Sequence, residues 1–398
     1  MFYGWYVVAC AFLVAMCGFG FGFYGPGLYV ASLHAIHGWP IRLLSSAVTA
    51  YYLAAAVWTA FIGDAIRRFG PRWVVVAGCH ALVLGGAALT LVRSPWQVYV
   101  AFVGMSVGWA AMNGAAISAI VAPWFDKKRG LAISLALNGG SCGGVVVTPL
   151  LVFLIARYGF GKGMALALAA MVAVLIPAAL LVLRRSPIGC PPDGAEPGSA
   201  APAAVVVSTS WSRRGAFHDP AFLTISIAFA LGFLAQVGFL THQISYLLPL
   251  VGAHGAALVV SMTTLAAIVG RTVTGSFVDT VDRRLVACAN FATQAAAIVV
   301  LLAVESRSAI YVGCVLFGLG VGNMNTLPAL IVQREFPPEH FGRVVSLVVS
   351  VNHIAFALGP AILGALHDWS SDYRTSFILC MSVEIAAAVV VLLGRRRV

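Results

Sequence analysis

The sequence predicts an all-α membrane protein whose twelve transmembrane helices form two pseudo-symmetric bundles of six. Two features of the composition point to this class. Of the 398 residues, 61% are hydrophobic and 9% are charged, whereas about 25% are charged in an average soluble protein. The third observation is an internal repeat that relates the two halves of the chain.

Apolar runs long enough to cross a bilayer alternate with charged residues, Pro and Gly. The first run is too long for a signal peptide and no processing site follows it, so we expect it to remain as a helix. The twelve predicted helices occupy 5–30, 43–66, 72–92, 96–122, 130–156, 161–184, 220–248, 256–278, 285–304, 308–333, 344–367 and 374–394.

The longest interruption, at 186–218, is rich in Pro, Gly, Ala and Ser. Such a composition is typical of a flexible linker. The sequence therefore predicts an N-terminal six-helix bundle at 1–185, a cytoplasmic linker at 186–218 and a C-terminal six-helix bundle at 219–398.

The two predicted bundles are related by an offset of 212 residues. Gly63 and Arg72 recur as Gly275 and Arg284, and the Met-Asn pair ending at Asn113 recurs as the pair ending at Asn325. Repeats of this size are found in transporters, with a substrate site near the membrane midplane between the copies. The offset places Arg271 opposite Thr59, so this charge belongs to the second copy only.

Lys and Arg residues are distributed unevenly over the predicted loops. Seventeen follow the even-numbered helices or lie at the C-terminus, and six lie in the other loops. Positive residues concentrate on the cytoplasmic side of membrane proteins. We therefore expect a multi-pass protein of the cell membrane with both termini in the cytoplasm. The net charge of +11 does not indicate a nucleic-acid partner, because the basic residues form no solvated patch.

The sequence contains no pattern that would hold a metal or a cofactor. Its eight cysteines are scattered, without the CxxC or His spacing of a zinc site, and no GxxxxGK[ST] phosphate loop occurs. We therefore expect a carrier rather than an enzyme, acting as a monomer in the lipid bilayer without a cofactor.

Arg271 is the leading candidate for substrate binding. It lies within the apolar run 256–278, four residues past the midpoint, or about 6 Å from the membrane centre at 1.5 Å per residue. A charge at that depth costs roughly 3 kcal/mol unless it faces a partner or a water-filled cavity. The alternatives are a side chain that reaches toward the membrane surface and a structural ion pair with a neighbouring helix.

Other polar side chains also fall near the middle of predicted helices. Each could contact a substrate, or could instead bond between packed helices. If transport is coupled to protons, His353 is the first candidate carrier, since imidazole titrates near neutral pH, and Glu384 is the second. The predicted substrate contacts are Arg271, Tyr24, Tyr51, Tyr52, Asn113, Asn138, Gln236, Asn325, Asn352 and His353.

The chain resembles the major facilitator superfamily over nearly its whole length, through twelve helices, a central loop and two copies of the gating-loop motif GxxxDRxGR. The first copy departs from the motif because Arg67 replaces the Asp, and the second because Thr280 replaces an Arg. The motif is represented by Gly63, Arg68, Gly70 and Arg72 in the first copy and by Gly275, Asp279, Arg283 and Arg284 in the second.

Three segments are similar to the monocarboxylate transporter and oxalate/formate antiporter branch of that superfamily. They are the opening YGWYVV, the GWPIRLLSS before helix 2 and the KKRGLAISLALNGGSCGG of helix 5. The resemblance implies that the Arg of helix 8, here Arg271, holds a substrate carboxylate. Proton-linked animal members carry a Lys after the Pro of helix 1, whereas Gly27 follows Pro26 here.

The favoured hypothesis is a secondary carrier for a small organic anion, a monocarboxylate or a dicarboxylate, working by proton symport or anion exchange. Apart from Glu384 no acidic residue lies deep in a predicted helix, which disfavours a carrier for cations. The alternatives are a carrier for a larger amphipathic compound such as a drug or siderophore, and a membrane sensor or enzyme.

Overall fold

The computed structural model describes residues 2–184, 213–303, 306–370 and 372–394. Most of the predicted linker, together with Arg185 and the C-terminal arginines 395–397, lies outside the described residues. Every regular element within the described ranges is helical apart from an isolated bridge at Phe125.

Twelve long helices, labelled here in chain order, make up the described chain. Three continuous helices each contain one break and supply two labels. The helices are α1 (Gly4–His37), α2 and α3 (Ile41–Leu91, before and after Gly70), α4 (Pro95–Trp124), α5 and α6 (Arg129–Val182, before and after Gly159), α7 and α8 (Pro220–Phe277, before and after Gly252), α9 (Arg283–Ala303), α10 (Arg307–Val321 continuing to Leu327–Glu335), α11 (Phe341–Ser370) and α12 (Arg374–Leu393).

The three breaks have one physical cause. Gly70, Gly159 and Gly252 have φ angles of 79°, 78° and 73°, a region that glycine enters without the steric cost of a side chain. Ten described segments are long and apolar enough to span a membrane, and two of them, of 49 and 54 residues, each contain a glycine break. When each of these two segments is counted as two helices, the described residues agree with the predicted number of twelve.

The first helix is longer than predicted. The sequence suggested an end near residue 30, but α1 continues to His37 and ends at Gly38, which has a φ of 67°. A glycine in the left-handed conformation is a common helix terminator, and polar residues can extend a helix beyond its apolar run.

The described chain divides into two compact units. Unit 1 takes the described residues of Met1–Ser210 together with Glu339–Ser350, and unit 2 takes those of Trp211–Pro338 and Val351–Val398. The first part of α11 therefore groups with α1 to α6, whereas the sequence placed all of 219–398 in one bundle. The boundaries of the two bundles and the linker, at 1–185, 186–218 and 219–398, otherwise remain predictions.

In unit 1, glycines allow α1 and α5 to pack closely. A Cβ added to Gly139 would lie 2.0 Å from the carbonyl oxygen of Phe12, and one added to Gly143 would lie 2.5 Å from that of Met16. Each helix contains a π-helical turn, at Gly20–Tyr24 and Gly143–Val147, and Gly20 packs directly on Val147. Such turns widen a helix locally and shift its hydrogen-bonding pattern.

In unit 2, α8 and α10 make a similar close contact. A Cβ on Gly270 would lie 2.1 Å from the carbonyl oxygen of Leu319, and one on Gly318 would lie 2.5 Å from that of Thr263. Small residues let transmembrane backbones approach in this way. This contact brings Arg271, the residue after Gly270, against α10.

Candidate functional site

Arg271 is buried inside unit 2 and turned toward α10. Only 5% of the residue is exposed, and it lies two residues beyond the midpoint of the spanning segment Leu258–Thr280. Its Nε donates to the carbonyl oxygen of Gly322 at 2.8 Å. This burial disfavours the alternative in which the side chain reaches the membrane surface.

The carbonyl that binds Arg271 belongs to an irregular turn within α10. The α-helix ends at Val321, a 3₁₀ turn covers Gly322–Asn325, and the α-helix resumes at Leu327–Glu335. Irregular backbone at membrane depth occurs where it is buried in protein or lines a cavity. The guanidinium group is therefore held at a point where α10 departs from regular helix geometry.

The position in unit 1 that is equivalent to Arg271 also forms a hydrogen bond to a neighbouring helix. Thr59 on α2 corresponds to Arg271, and its Oγ1 accepts a hydrogen bond from Asn113 Nδ2 at 2.8 Å. Asn113 interrupts α4, and its Oδ1 accepts from the backbone N–H groups of Ala115 and Ala116. In both units, a side-chain hydrogen bond thus joins two corresponding helices at a break in one of them: α2 to α4 in unit 1, and α8 to α10 in unit 2. The bonding residue is neutral in unit 1 and cationic in unit 2.

Three of the predicted contacts come together around the π turn of α1. Tyr51 donates to the carbonyl oxygen of Gly22 at 2.8 Å and Tyr52 donates to that of Phe23 at 3.3 Å. Tyr24 packs over Gly144 of α5. The hydroxyl groups of Tyr51 and Tyr52 therefore satisfy main-chain carbonyls, the structural role that is the alternative to substrate contact. Asn138, also predicted as a contact, is buried on α5 beside Gly139.

Two pairs of amide side chains form buried hydrogen bonds between helices of unit 2. Gln294 Nε2 of α9 donates to Gln236 Oε1 of α7 at 3.1 Å, and Asn323 Nδ2 of α10 donates to Asn290 Oδ1 of α9 at 2.9 Å. Gln236 therefore has a partner on a neighbouring helix. Asn325, two residues after Asn323, is half-buried in the same turn of α10.

Asn352 and His353 lie side by side on α11 in unit 2. Asn352 is 1% exposed, and among the described residues neither Oδ1 nor Nδ2 has a hydrogen-bond partner. The His353 ring is also buried and packs edge to face on Phe356, with 6.0 Å between centroids. Buried amides without partners are rare, so Asn352 needs a ligand, a water or another conformation to satisfy it.

Glu384 lies on the buried face of α12. It is 0% exposed, and neither carboxylate oxygen has a hydrogen-bond partner among the described residues. One turn earlier, Cys380 Sγ contacts the carbonyl oxygen of Ala235 on α7 at 3.7 Å. Glu384 therefore lies against the packed helices of unit 2.

The first gating-loop motif, at the end of α2, has a specific steric requirement. A Cβ on Gly63 would lie 2.2 Å from the carbonyl oxygen of Gly342, and the Gly63 N–H donates to Ser346 Oγ at 2.9 Å. Asp64 binds Arg343 and lies 3.9 Å from Arg67. Asp64 thus supplies a carboxylate near the position where Arg67 replaces the motif Asp.

The second motif, after α8, forms a dense set of ion pairs. Arg283 bonds to Asp279 at 2.8 Å and to Gln333 at 2.7 Å. Arg284 is 2% exposed, and its Nε and Nη2 bond to the two carboxylate oxygens of Glu335 at 2.6 and 2.7 Å. Arg284 Nη1 also donates to the carbonyl oxygen of Val391 on α12. Glu335 was missed by the sequence reasoning, because it stands outside both motif copies.

The sequence profile of the Major Facilitator Superfamily matches residues 10–257 and 250–398, which is nearly the whole chain. The chain belongs to this superfamily. Its members are transporters that bind small molecules within the membrane, and superfamily membership together with the twelve apolar helices makes this chain a multi-pass membrane protein.

The relatives include transporters named for different roles. Mouse (Mus musculus) monocarboxylate transporter 11 is 26% identical over 98% of this chain and 86% of its own length. The MFS-type transporter pynF of Aspergillus niger is 24% identical over 88% of this chain and 80% of its own length. The fujikurins efflux protein of Gibberella fujikuroi is 25% identical over 86% of this chain and 73% of its own length.

Solved structures of this superfamily share the fold. The proton:xylose symporter XylE aligns with a TM-score of 0.76 at 14% identity, covering 97% of this chain and 94% of the symporter. The Escherichia coli fucose:proton symporter FucP aligns with a TM-score of 0.67 at 12% identity, covering 100% and 97%. These likenesses concern the fold alone.

Proposed function

We propose that this superfamily member is a secondary active transporter that moves a small organic anion, a monocarboxylate or a dicarboxylate, by alternating access. The observation that carries the proposal is Arg271, a cation 5% exposed near the middle of a spanning helix. Placing a charge at that depth is costly, and an anionic substrate would offset the cost.

The chemistry of the guanidinium group favours a carboxylate. Its planar N–H donors match the two oxygens of a carboxylate, and such paired bonds are stronger and more directional than those of an ammonium group. The bond from Nε to the Gly322 carbonyl fixes the plane of the group. A fixed plane lowers the entropy lost when a substrate binds.

The buried amide of Asn352 is a second observation that favours a ligand in unit 2. Both of its polar atoms lack a partner among the described residues, and the amide offers a donor and an acceptor to a small oxygen-rich molecule. We assign Asn352 with His353 to the substrate pathway. Tyr24, Tyr51, Tyr52, Asn113, Asn138, Gln236 and Asn325 remain candidate contacts.

We propose further that the protein acts as a monomer in the cell membrane with both termini in the cytoplasm. The orientation is supported by the distribution of 17 positive residues on one predicted side and six on the other. In this orientation the gating-loop motifs after α2 and α8 lie at the cytoplasmic ends of those helices.

A second candidate function is the export of a larger amphipathic compound. Its support is the likeness to one relative, the fujikurins efflux protein. The two functions differ in what they require of Arg271, because an uncharged compound does not form an ion pair with a guanidinium group.

Carboxylate-dependent stabilisation tests the proposed function. We expect a panel of mono- and dicarboxylates to raise the melting temperature of the purified transporter, since a ligand of the folded state stabilises it by mass action. At a ligand concentration of 100 times Kd the gain is about 2.7 kcal/mol. The matching amides serve as controls. Equal stabilisation by an acid and its amide would contradict recognition of the carboxylate.

Coupling is tested with the same ligand in vesicles. We propose His353 as the proton carrier and Glu384 as the second candidate. A buried imidazolium is costly without an accompanying anion, so protonation of His353 and binding of the substrate would favour each other. We expect His353→Gln to lose uptake driven by a proton gradient but to keep exchange between identical anions.

The control for this experiment is Glu384→Gln, assayed in parallel. Retention of proton-driven uptake in His353→Gln together with its loss in Glu384→Gln would move the role to α12. If the wild-type protein ignores a proton gradient but accelerates when vesicles are preloaded with anion, obligate exchange replaces symport.

A further inference from the structure

An apolar groove lies on the outer surface of unit 1, between α2, α3 and α4. It has a volume of about 610 Å³. Trp58, Phe61 and Phe69 line it from α2, Trp73 and Ala77 from α3, and the remaining lining residues are also apolar. The four aromatic residues are 47% to 58% exposed, so they face the surroundings of the protein rather than its core.

Two arginines mark one end of this groove. The guanidinium carbon of Arg68 lies 5.3 Å from the ring centroid of Phe69, and that of Arg72 lies 4.8 Å from the ring of Trp73. Both rings line the groove. The groove therefore combines an apolar channel with a cationic end, near the turn at Gly70 where α2 meets α3.

The internal repeat indicates that Arg72 is short of an anionic partner. Its counterpart Arg284 is paired through two bonds with Glu335, but the residue that corresponds to Glu335 in unit 1 is Pro123. Arg72 Nε is buried and has no hydrogen-bond partner among the described residues. Unit 1 thus keeps the cation of the repeat without its carboxylate.

We propose that this groove binds an anionic phospholipid. One acyl chain lies against Trp58, Phe61 and Trp73, and the phosphate pairs with Arg68 and with the terminal Nη atoms of Arg72, since only Nε of that side chain is buried without a partner among the described residues. Charge complementarity selects this occupant, because a neutral lipid or an apolar helix from another chain fills the channel but leaves the two cations unmatched. Basic residues at a membrane surface attract anionic lipids by about 1 kcal/mol per Lys or Arg.

The test is retention of lipid by the purified full-length protein. Native mass spectrometry would compare phosphatidylglycerol with phosphatidylcholine of the same acyl chains. We expect preferential retention of phosphatidylglycerol, and about 5-fold weaker retention for each of Arg68→Gln and Arg72→Gln, the factor that corresponds to about 1 kcal/mol. Ala77→Phe, which fills the groove from an exposed position, should weaken the retention of both lipids.

Arg157→Gln is the matched control. Arg157 also lies over an aromatic ring, that of Tyr158 at 6.0 Å, but neither residue lines the groove. This variant should retain phosphatidylglycerol like the wild type. Equal retention of the two lipids by the wild type overturns the proposal. Unchanged retention of phosphatidylglycerol in Arg68→Gln, Arg72→Gln and Ala77→Phe also overturns it. So does displacement of phosphatidylglycerol by soluble glycerol phosphate, which would mark a phosphate site without a lipid groove.

Discussion

Arg271→Lys is expected to reduce carboxylate-dependent stabilisation and anion exchange sharply, although it keeps the positive charge. Lysine cannot offer a planar pair of donors, and its ammonium group cannot reproduce the Nε bond to Gly322 in the same geometry. A lost hydrogen bond to a charged group is worth about 1.5 to 3 kcal/mol, which is roughly 10-fold to 150-fold in affinity. Arg271→Ala should lose at least as much.

Two measurements check this prediction: the shift in melting temperature with the best carboxylate, and the rate of anion exchange in vesicles. The melting temperature without ligand shows whether each variant is folded. Arg374→Lys makes the same substitution at an exposed position at the start of α12 and should behave like the wild type. Normal exchange by both Arg271 variants would show that Arg271 does not bind the substrate carboxylate. It would favour the alternative of a larger amphipathic compound.

Arg284→Met is expected to cause the largest loss of stability. Arg284 is 2% exposed, is bound through two donors to Glu335, and also donates to the α12 carbonyl of Val391. Removing one partner of a buried ion pair leaves the other charge uncompensated and costs about 3 to 5 kcal/mol. We therefore expect a markedly lower melting temperature and poor recovery of the purified protein.

The repeat supplies the control for this second prediction. Arg72→Met alters the equivalent residue, for which Glu335 has no counterpart, so we expect a change of less than about 1 kcal/mol. In Arg284→Met/Glu335→Met both charges are gone, and part of the lost stability should return. A melting temperature of Arg284→Met equal to that of Arg72→Met would show that the ion pair contributes little.

The helices of this transporter could be located from the sequence, because the cost of placing a segment in a membrane depends on its own residues. The predicted helix at 285–304 is found at Arg283–Ala303, and the one at 374–394 at Arg374–Leu393. α1 is the exception, since it extends beyond its apolar run to Gly38. Hydropathy predicts the part of a helix that lies in lipid, but it does not predict polar helical turns beyond that part.

Arg271 was also recognisable from the sequence, because a lone charge within an apolar run is unusual whatever surrounds it. Its partner was not. The Gly322 carbonyl is 51 residues away, and it is exposed to Arg271 only because α10 changes to a 3₁₀ turn there. Nothing local in the sequence predicts that turn, because Gly and Asn are also common where helices simply pack.

The remaining contacts were decided by tertiary structure alone. Gln236 and Gln294 are 58 residues apart, and Arg284 and Glu335 are 51 apart. Either glutamine could have faced any neighbouring helix or a substrate. The choice depends on which helix faces meet, and in unit 2 that is set by close approaches such as Gly270 against Leu319. Apolar segment lengths and charge positions are properties of the chain, whereas side-chain partners are fixed only when backbones pack at contact distance.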